Sequence, residues 1–222
     1  MIRLVIVFLI VGTVLPVFAL EAPQTEQQKT LYTIGQTVSQ QLAVFNLSSD
    51  EFAYVLMGLQ DAQAGKEAAV DSDAYAVKVQ ELARERRKAY GSRLVPLGNA
   101  ALLKAAGAPG AIKTASGLVY QPLRNGDGPS PGQGDTIRVQ YRGFLPDGKE
   151  FDSSYKRGTP LELTLSKAIK CWSEGLQKMQ VGGKARLTCP ASLGYGEYGA
   201  GSLIPPQATL LFDVELLAIM KK

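Results

Sequence analysis

The chain carries no histidine. That excludes a Ser-His-Asp triad, a Cys-His dyad and a His-ligated zinc, so any catalysis has to work without imidazole. The two cysteines, Cys171 and Cys189, lack C-x-x-C spacing and are too few for a four-cysteine zinc site. No metal set is left. Gly132-Gln133-Gly134 lacks the Lys-Ser/Thr of a phosphate loop and sits between strand-like segments, so no nucleotide or other cofactor is expected. The one dense basic run is Arg84-Glu85-Arg86-Arg87-Lys88, and Glu81 and Glu85 interrupt it. With a formal charge of only +4, it reads as the solvated face of a helix and not as a nucleic-acid contact.

The elements around these residues fall into two kinds. Residues 22–106 read as helical. Leu31, Ile34, Val38 and Leu42 recur at helical spacing, as do Phe52, Val55, Leu56 and Leu59, and then Tyr75, Val79, Leu82, Arg86 and Ala89. Ser48 with Glu51 three residues on is a capping-box pattern. Gly65 ends the second helix, Asp71 or Ser72 opens a third, and Gly91, Pro96 and Gly98 are expected to interrupt it before a short helix over 99–106. Residues 107–116 read as a linker.

From Gly117 to the end, over 117–222, the period becomes two. Ile137, Val139 and Tyr141 alternate with Arg138, Gln140 and Arg142. The stretches 161–165, 185–189 and 210–216 repeat that pattern, which predicts strands with one buried and one wet face. Cys171 to Met179 reads as a short helix with Trp172, Leu176 and Met179 on one side. The predicted class is α+β, a twisted antiparallel sheet wrapped over one short helix, preceded by the helical region.

Residues 1–19 carry Arg3, an apolar run from Leu4 to Val17 and small residues Val17 and Ala19 at the two positions before a cut. This pattern predicts a bacterial secretory signal peptide cleaved after Ala19, with periplasmic or secreted localisation and no membrane attachment afterwards. The run is short for a spanning helix and Pro16 interrupts its end. Export makes an oxidising compartment the expectation. Cys171 at a helix start and Cys189 in a core strand then allow two readings, a disulfide between them or two buried free thiols.

The order of motifs resembles the FKBP-type peptidyl-prolyl cis-trans isomerases. The resemblance rests on Tyr141-Arg142-Gly143, Asp147 through Ser154, Ile169 through Leu176, Val181-Gly182-Gly183-Lys184, Leu193-Gly194-Tyr195-Gly196, Ile204-Pro205-Pro206 and Ala208 through Leu216. Tyr32-Thr33-Ile34-Gly35 and Gly58 through Ala62 resemble the N-terminal dimerisation domain of macrophage infectivity potentiator-like bacterial members. The resemblance implies an enzyme that assists folding of exported proteins. A non-catalytic chaperone using a helical dimer as a cradle is the alternative.

Such an enzyme needs no nucleophile. An X-Pro bond exchanges slowly because amide resonance sets a barrier of ~18–20 kcal/mol. The twisted amide has less charge separation than the planar one, so a dry apolar pocket favours the twisted state. By resemblance Tyr141, Phe151, Trp172, Ile169, Tyr195 and Phe212 line that pocket, with Trp172 as its floor. The Ile169 N–H would hold a substrate carbonyl, and Asp152 and the Tyr195 hydroxyl would stand near the rotating amide. Arg157 would orient Asp152, and Leu203 and Ile204 would cover the pocket. Leu161 and Ala168 belong to its rim but depart from the family pattern, which commonly has an aromatic and a β-branched residue there. Ala200 lies in a loop where a histidine is often found. These departures imply a changed preference for the residue before proline and weaker macrolide binding. Expected partners are proline-containing, unfolded or partly folded exported proteins and a second copy of the chain, joined through the N-terminal helices. Pro96 is expected to break the uninterrupted connecting helix seen in dimeric relatives.

Overall fold

The computed structural model describes residues 21–220. The signal peptide expected over 1–19 lies outside them. The chain divides into two compact units between Val38 and Ser39, within the first helix, α1 (Glu26–Leu42). In the first unit, Thr30, Thr33 and Thr37 turn their hydroxyls back onto the carbonyls four residues earlier, while Leu31, Tyr32 and Ile34 are exposed.

The second unit holds the remaining elements. Helix α2 (Ser49–Gln63) starts with the expected reciprocal cap: Ser48 Oγ accepts from Glu51 N at 3.2 Å, and the Glu51 carboxylate accepts from Ser48 N at 2.8 Å. Helix α3 (Ser72–Ala106) is capped by Asp71, whose carboxylate accepts the N–H groups of Asp73 and Ala74. It runs through Pro96 without a break, against the expectation of an interruption at 91–98. The two glycines there are points of close approach. A Cβ on Gly91 would lie 2.6 Å from the Pro206 carbonyl oxygen, and one on Gly98 would lie 2.5 Å from Thr209 Oγ1. Between them Leu94 is buried in the core of the sheet domain. Packing therefore outweighs the local cost of Gly and Pro in a helix.

Seven strands follow: β1 (Ile112–Lys113), β2 (Val119–Arg124), β3 (Thr136–Phe144), β4 (Glu150–Ser153), β5 (Leu161–Thr164), β6 (Lys184–Cys189) and β7 (Leu210–Met220). All pairings are antiparallel in the order β1-β2-β6-β7-β3-β4, and β5 also pairs with β3. Strand β1 lies inside the segment read as a linker, with Ile112 opposite Tyr120. Strand β3 is in register with β7 so that Tyr141 faces Val214 and Gly143 faces Phe212.

Every second residue of the central strands is buried, as the period-two pattern requires: Ile137, Val139 and Tyr141 on β3, and Leu210, Phe212, Val214 and Leu216 on β7. Against that face lies α5 (Lys170–Leu176), which starts one residue before and ends three residues before the 171–179 segment read from sequence. It sits close because Gly175 has no side chain; a Cβ there would be 2.8 Å from a Leu187 methyl. The bond between Cys171 on α5 and Cys189 at the end of β6 spans 5.8 Å between Cα atoms and ties the helix to the sheet. On the wet face, Arg186 holds Asp213 with two bonds of 2.6 and 2.8 Å, and Arg138 holds Glu162 at 2.8 Å. Such exposed pairs contribute ~0–1 kcal/mol each.

Candidate active site

The concave end of the sheet holds a hollow of about 320 Å³. Trp172 lies at the first turn of α5, fixed there because the Ile169 carbonyl accepts the N–H groups of Trp172 and Ser173, each at 3.0 Å. Its ring meets Tyr141 edge-on at 4.9 Å and Phe212 edge-on at 5.3 Å between centroids. Phe151, from β4, meets Phe212 edge-on at 5.6 Å. Edge-to-face contacts of this kind add ~0.5–1.5 kcal/mol beyond area burial and fix ring orientation. The Trp172 Nε1 is buried with no hydrogen-bond partner among the described residues.

The wall depends on a missing side chain. A Cβ on Gly143 would stand 2.6 and 2.8 Å from two atoms of the Phe151 ring and 3.0 Å from Phe212. Gly143 belongs to the motif Tyr141-Arg142-Gly143, but a sequence motif does not reveal that two rings lie across its Cα. Ser154, likewise unassigned by sequence, is buried and accepts from the Tyr141 N–H at 2.8 Å. The one-turn helix α4 (Ser154–Arg157) was not legible either. It swings Arg157 back toward the site.

One polar cluster stands at the edge. The Tyr141 hydroxyl donates to the Asp152 carboxylate, which also accepts from Arg157 Nη1 and from the Ser153 N–H at 2.8 Å. Arg157 Nη2 donates to the Tyr141 hydroxyl oxygen at 2.9 Å. Burial, aided by the Asp152 bond, pushes the Tyr141 hydroxyl up to about 12. Burial, with the Asp152 charge, also raises Tyr195. The bond to Tyr141 holds Arg157 above its ordinary range. Tyr141, Tyr195 and Arg157 therefore keep their neutral-pH forms, and the cluster is suited to orienting dipoles.

Tyr141, Phe151, Asp152, Leu161, Ala168, Ile169, Trp172, Tyr195 and Phe212 line this one hollow, together with Leu163 and Lys167, which the sequence reading did not assign. The Ile169 N–H has no acceptor among the described residues. Arg157 stands beside the hollow through Asp152 and Tyr141. Leu203 and Ile204, expected over it, are not among its lining residues. Leu203 lines the adjoining cleft with Phe151, Asp152 and Arg157. Ile204 is 7% exposed and packs into the core, because its backbone pairs with Ala200 and turns the side chain away from solvent. Among the described residues, no group of three acidic, Cys or His side chains could hold a metal ion.

Two family models match the chain. One, described as FKBP-type peptidyl-prolyl cis-trans isomerase, covers residues 128–217, and the other, described as the domain amino terminal to FKBP-type peptidyl-prolyl isomerase, covers 27–121. The FKBP-type peptidyl-prolyl cis-trans isomerase FkpA of Escherichia coli (strain K12) is 35% identical over 88% of this chain and 77% of its own length. Peptidyl-prolyl cis-trans isomerase Mip of Coxiella burnetii is 34% identical over 99% of both chains. The crystal structure of FkpA from Escherichia coli matches with a TM-score of 0.60 at 35% identity, covering 89% of this chain and 98% of that one.

Proposed function

This chain belongs to the FKBP-type peptidyl-prolyl cis-trans isomerases, and we propose that the hollow floored by Trp172 is where it turns the X-Pro amide. The observation that carries this reading is the convergence of Tyr141, Phe151, Trp172 and Phe212 on one hollow with Asp152 at its edge.

The proline ring rests on Trp172, walled by Phe151, Tyr141 and Phe212. The Ile169 N–H takes a substrate carbonyl and holds that side of the amide while the other side rotates. Dehydration removes the water that stabilises the planar, more polar amide, and shape selects the twisted one. Asp152, fixed by Arg157 and Tyr141, and the Tyr195 hydroxyl place dipoles next to the rotating group. Leu203, on the turn beside the hollow, sets the height of its rim, and Ile204 anchors that turn in the core. No covalent intermediate forms. Substrates are proline-containing unfolded or partly folded chains.

A protease-coupled assay on a proline tetrapeptide tests the site. Asp152→Leu and Trp172→Ala should each slow the cis-to-trans rate, and an unchanged rate in both refutes the placement. Macrolides of the rapamycin type should bind this hollow weakly, since Leu161 and Ala168 leave its rim less enclosed. Quenching of Trp172 reads that affinity directly.

We further read the helical region as a homodimerisation surface. Leu31, Ile34, Phe52, Leu59, Tyr75 and Val79 are exposed in the single chain, and a second copy is the simplest cover for them. Light scattering at tens of micromolar should give a dimer mass; a monomer mass refutes it. Export to the periplasm or beyond, after cleavage at Ala19, is checked by N-terminal sequencing of the mature protein.

A further inference from the structure

We infer that Arg87, on α3, is a positioning residue for the substrate side of the hollow. This rests on the site reading above. The loop after Tyr195 runs to Gln207 and is closed at its base by the Gln207 N–H donating to the Gly196 carbonyl at 2.9 Å. Its tip is a tight hairpin in which Ala200 and Ile204 exchange backbone bonds of 2.9 and 3.1 Å. The loop starts at a residue that lines the hollow, Tyr195, and its tip carries Leu203, which lines the adjoining cleft beside Phe151 and Asp152.

Arg87 grips both arms of this loop. Its Nη2 donates to the Tyr198 carbonyl at 3.1 Å on the outgoing arm and to the Ile204 carbonyl at 3.2 Å on the returning arm. One helical turn further on, the backbone at Gly91 meets the Pro206 carbonyl so closely that a Cβ would lie 2.6 Å from it. Gly199 and Gly201 take φ of +65° and +52°, which glycine adopts freely. The non-glycine Gln207 has φ of +60°, a conformation that persists where surroundings impose it. The Nε of Arg87 is itself buried without a partner among the described residues. A basic residue on a merely solvated face does not carry that desolvation cost. The guanidinium is committed to this loop through a single amino nitrogen, Nη2, which serves both carbonyls.

Arg87 therefore touches no substrate. It sets where Leu203 stands, and so how the residues flanking proline are received. The test is steady-state kinetics of the full chain on two tetrapeptides, one with Leu and one with Ala before proline. Arg87→Ala should raise KM for the Leu peptide by about tenfold while kcat changes by less than about twofold, the effect of losing two charge-assisted bonds on binding alone. The preference between the peptides should narrow. Arg87→Lys, which can reach one carbonyl, should recover part of the KM, and it carries the test if the alanine variant does not fold. An unchanged KM and an unchanged preference, with Trp172→Ala still slow, overturns the role of Arg87 alone. If Trp172→Ala is also fully active, the site reading falls and this inference with it.

Discussion

Gly143→Ala is the sharpest test of how the aromatic wall is built. In a β-strand, alanine is favoured over glycine by ~0.5–1 kcal/mol through lost backbone entropy. Against that, the new methyl would sit 2.6 Å from the Phe151 ring and 3.0 Å from Phe212. Overpacking of this kind costs ~1–3 kcal/mol. The net loss of stability is therefore at most ~2.5 kcal/mol, and the protein should fold. Phe151 is the partly exposed ring, so it is the one that yields, and the open direction is the hollow. Its edge-on contact with Phe212 is lost with the shift. The expected result is a fall in kcat/KM of about tenfold or more, ~1.4 kcal/mol of transition-state stabilisation, in the protease-coupled assay. Gly148→Ala is the control: its φ of +89° strains any side chain, but nothing lies within 4 Å. That variant should lose ~1–2 kcal/mol of stability and keep its activity. A Gly143→Ala enzyme within about twofold of the parent would refute the argument that this position spaces the rings.

Reducing the bond between Cys171 and Cys189, which are 18 residues apart, should cost ~3 kcal/mol in denaturant unfolding; equal midpoints with and without reductant would reject a structural role. Leu94→Ala should cost ~2–5 kcal/mol, because this residue of α3 is buried in the sheet core; thermal unfolding checks it. Activity should be flat from about pH 6 to about pH 9, since Tyr141 and Tyr195 are both raised and no imidazole titrates. On the alkaline side stability should fall: Tyr141 is raised when folded, so its contribution is intact below an unfolded value of ~10 and is lost as pH rises toward about 12.

The strands were legible in the sequence because one face is buried and the other wet, so 137–142 and 210–216 print their register as alternation. The capping pair Ser48 and Glu51 was legible because it is local. What failed was non-local. Gly91, Pro96 and Gly98 look like helix breakers until Pro206 and Thr209 are laid against them. The run 84–88 looks like a solvated face, yet Arg86 pairs with Glu51 and Arg87 reaches the loop after Tyr195. Strand β1 has two residues, too few to show a period. The ring positions of the hollow came from motif order, while Gly143, Leu163 and Lys167 needed coordinates, because only distance shows what faces what.

The burial of Leu94 between Gly91 and Gly98 has a consequence for how such chains can be recombined. The last turns of α3 are a piece of the isomerase's interior that happens to be written in the helical half of the gene product. A fragment beginning in the stretch 107–116 would leave that interior uncovered. Swapping helical arms between relatives at that stretch would therefore trade away part of the catalytic body, whereas a junction upstream of Arg87 would carry it along intact.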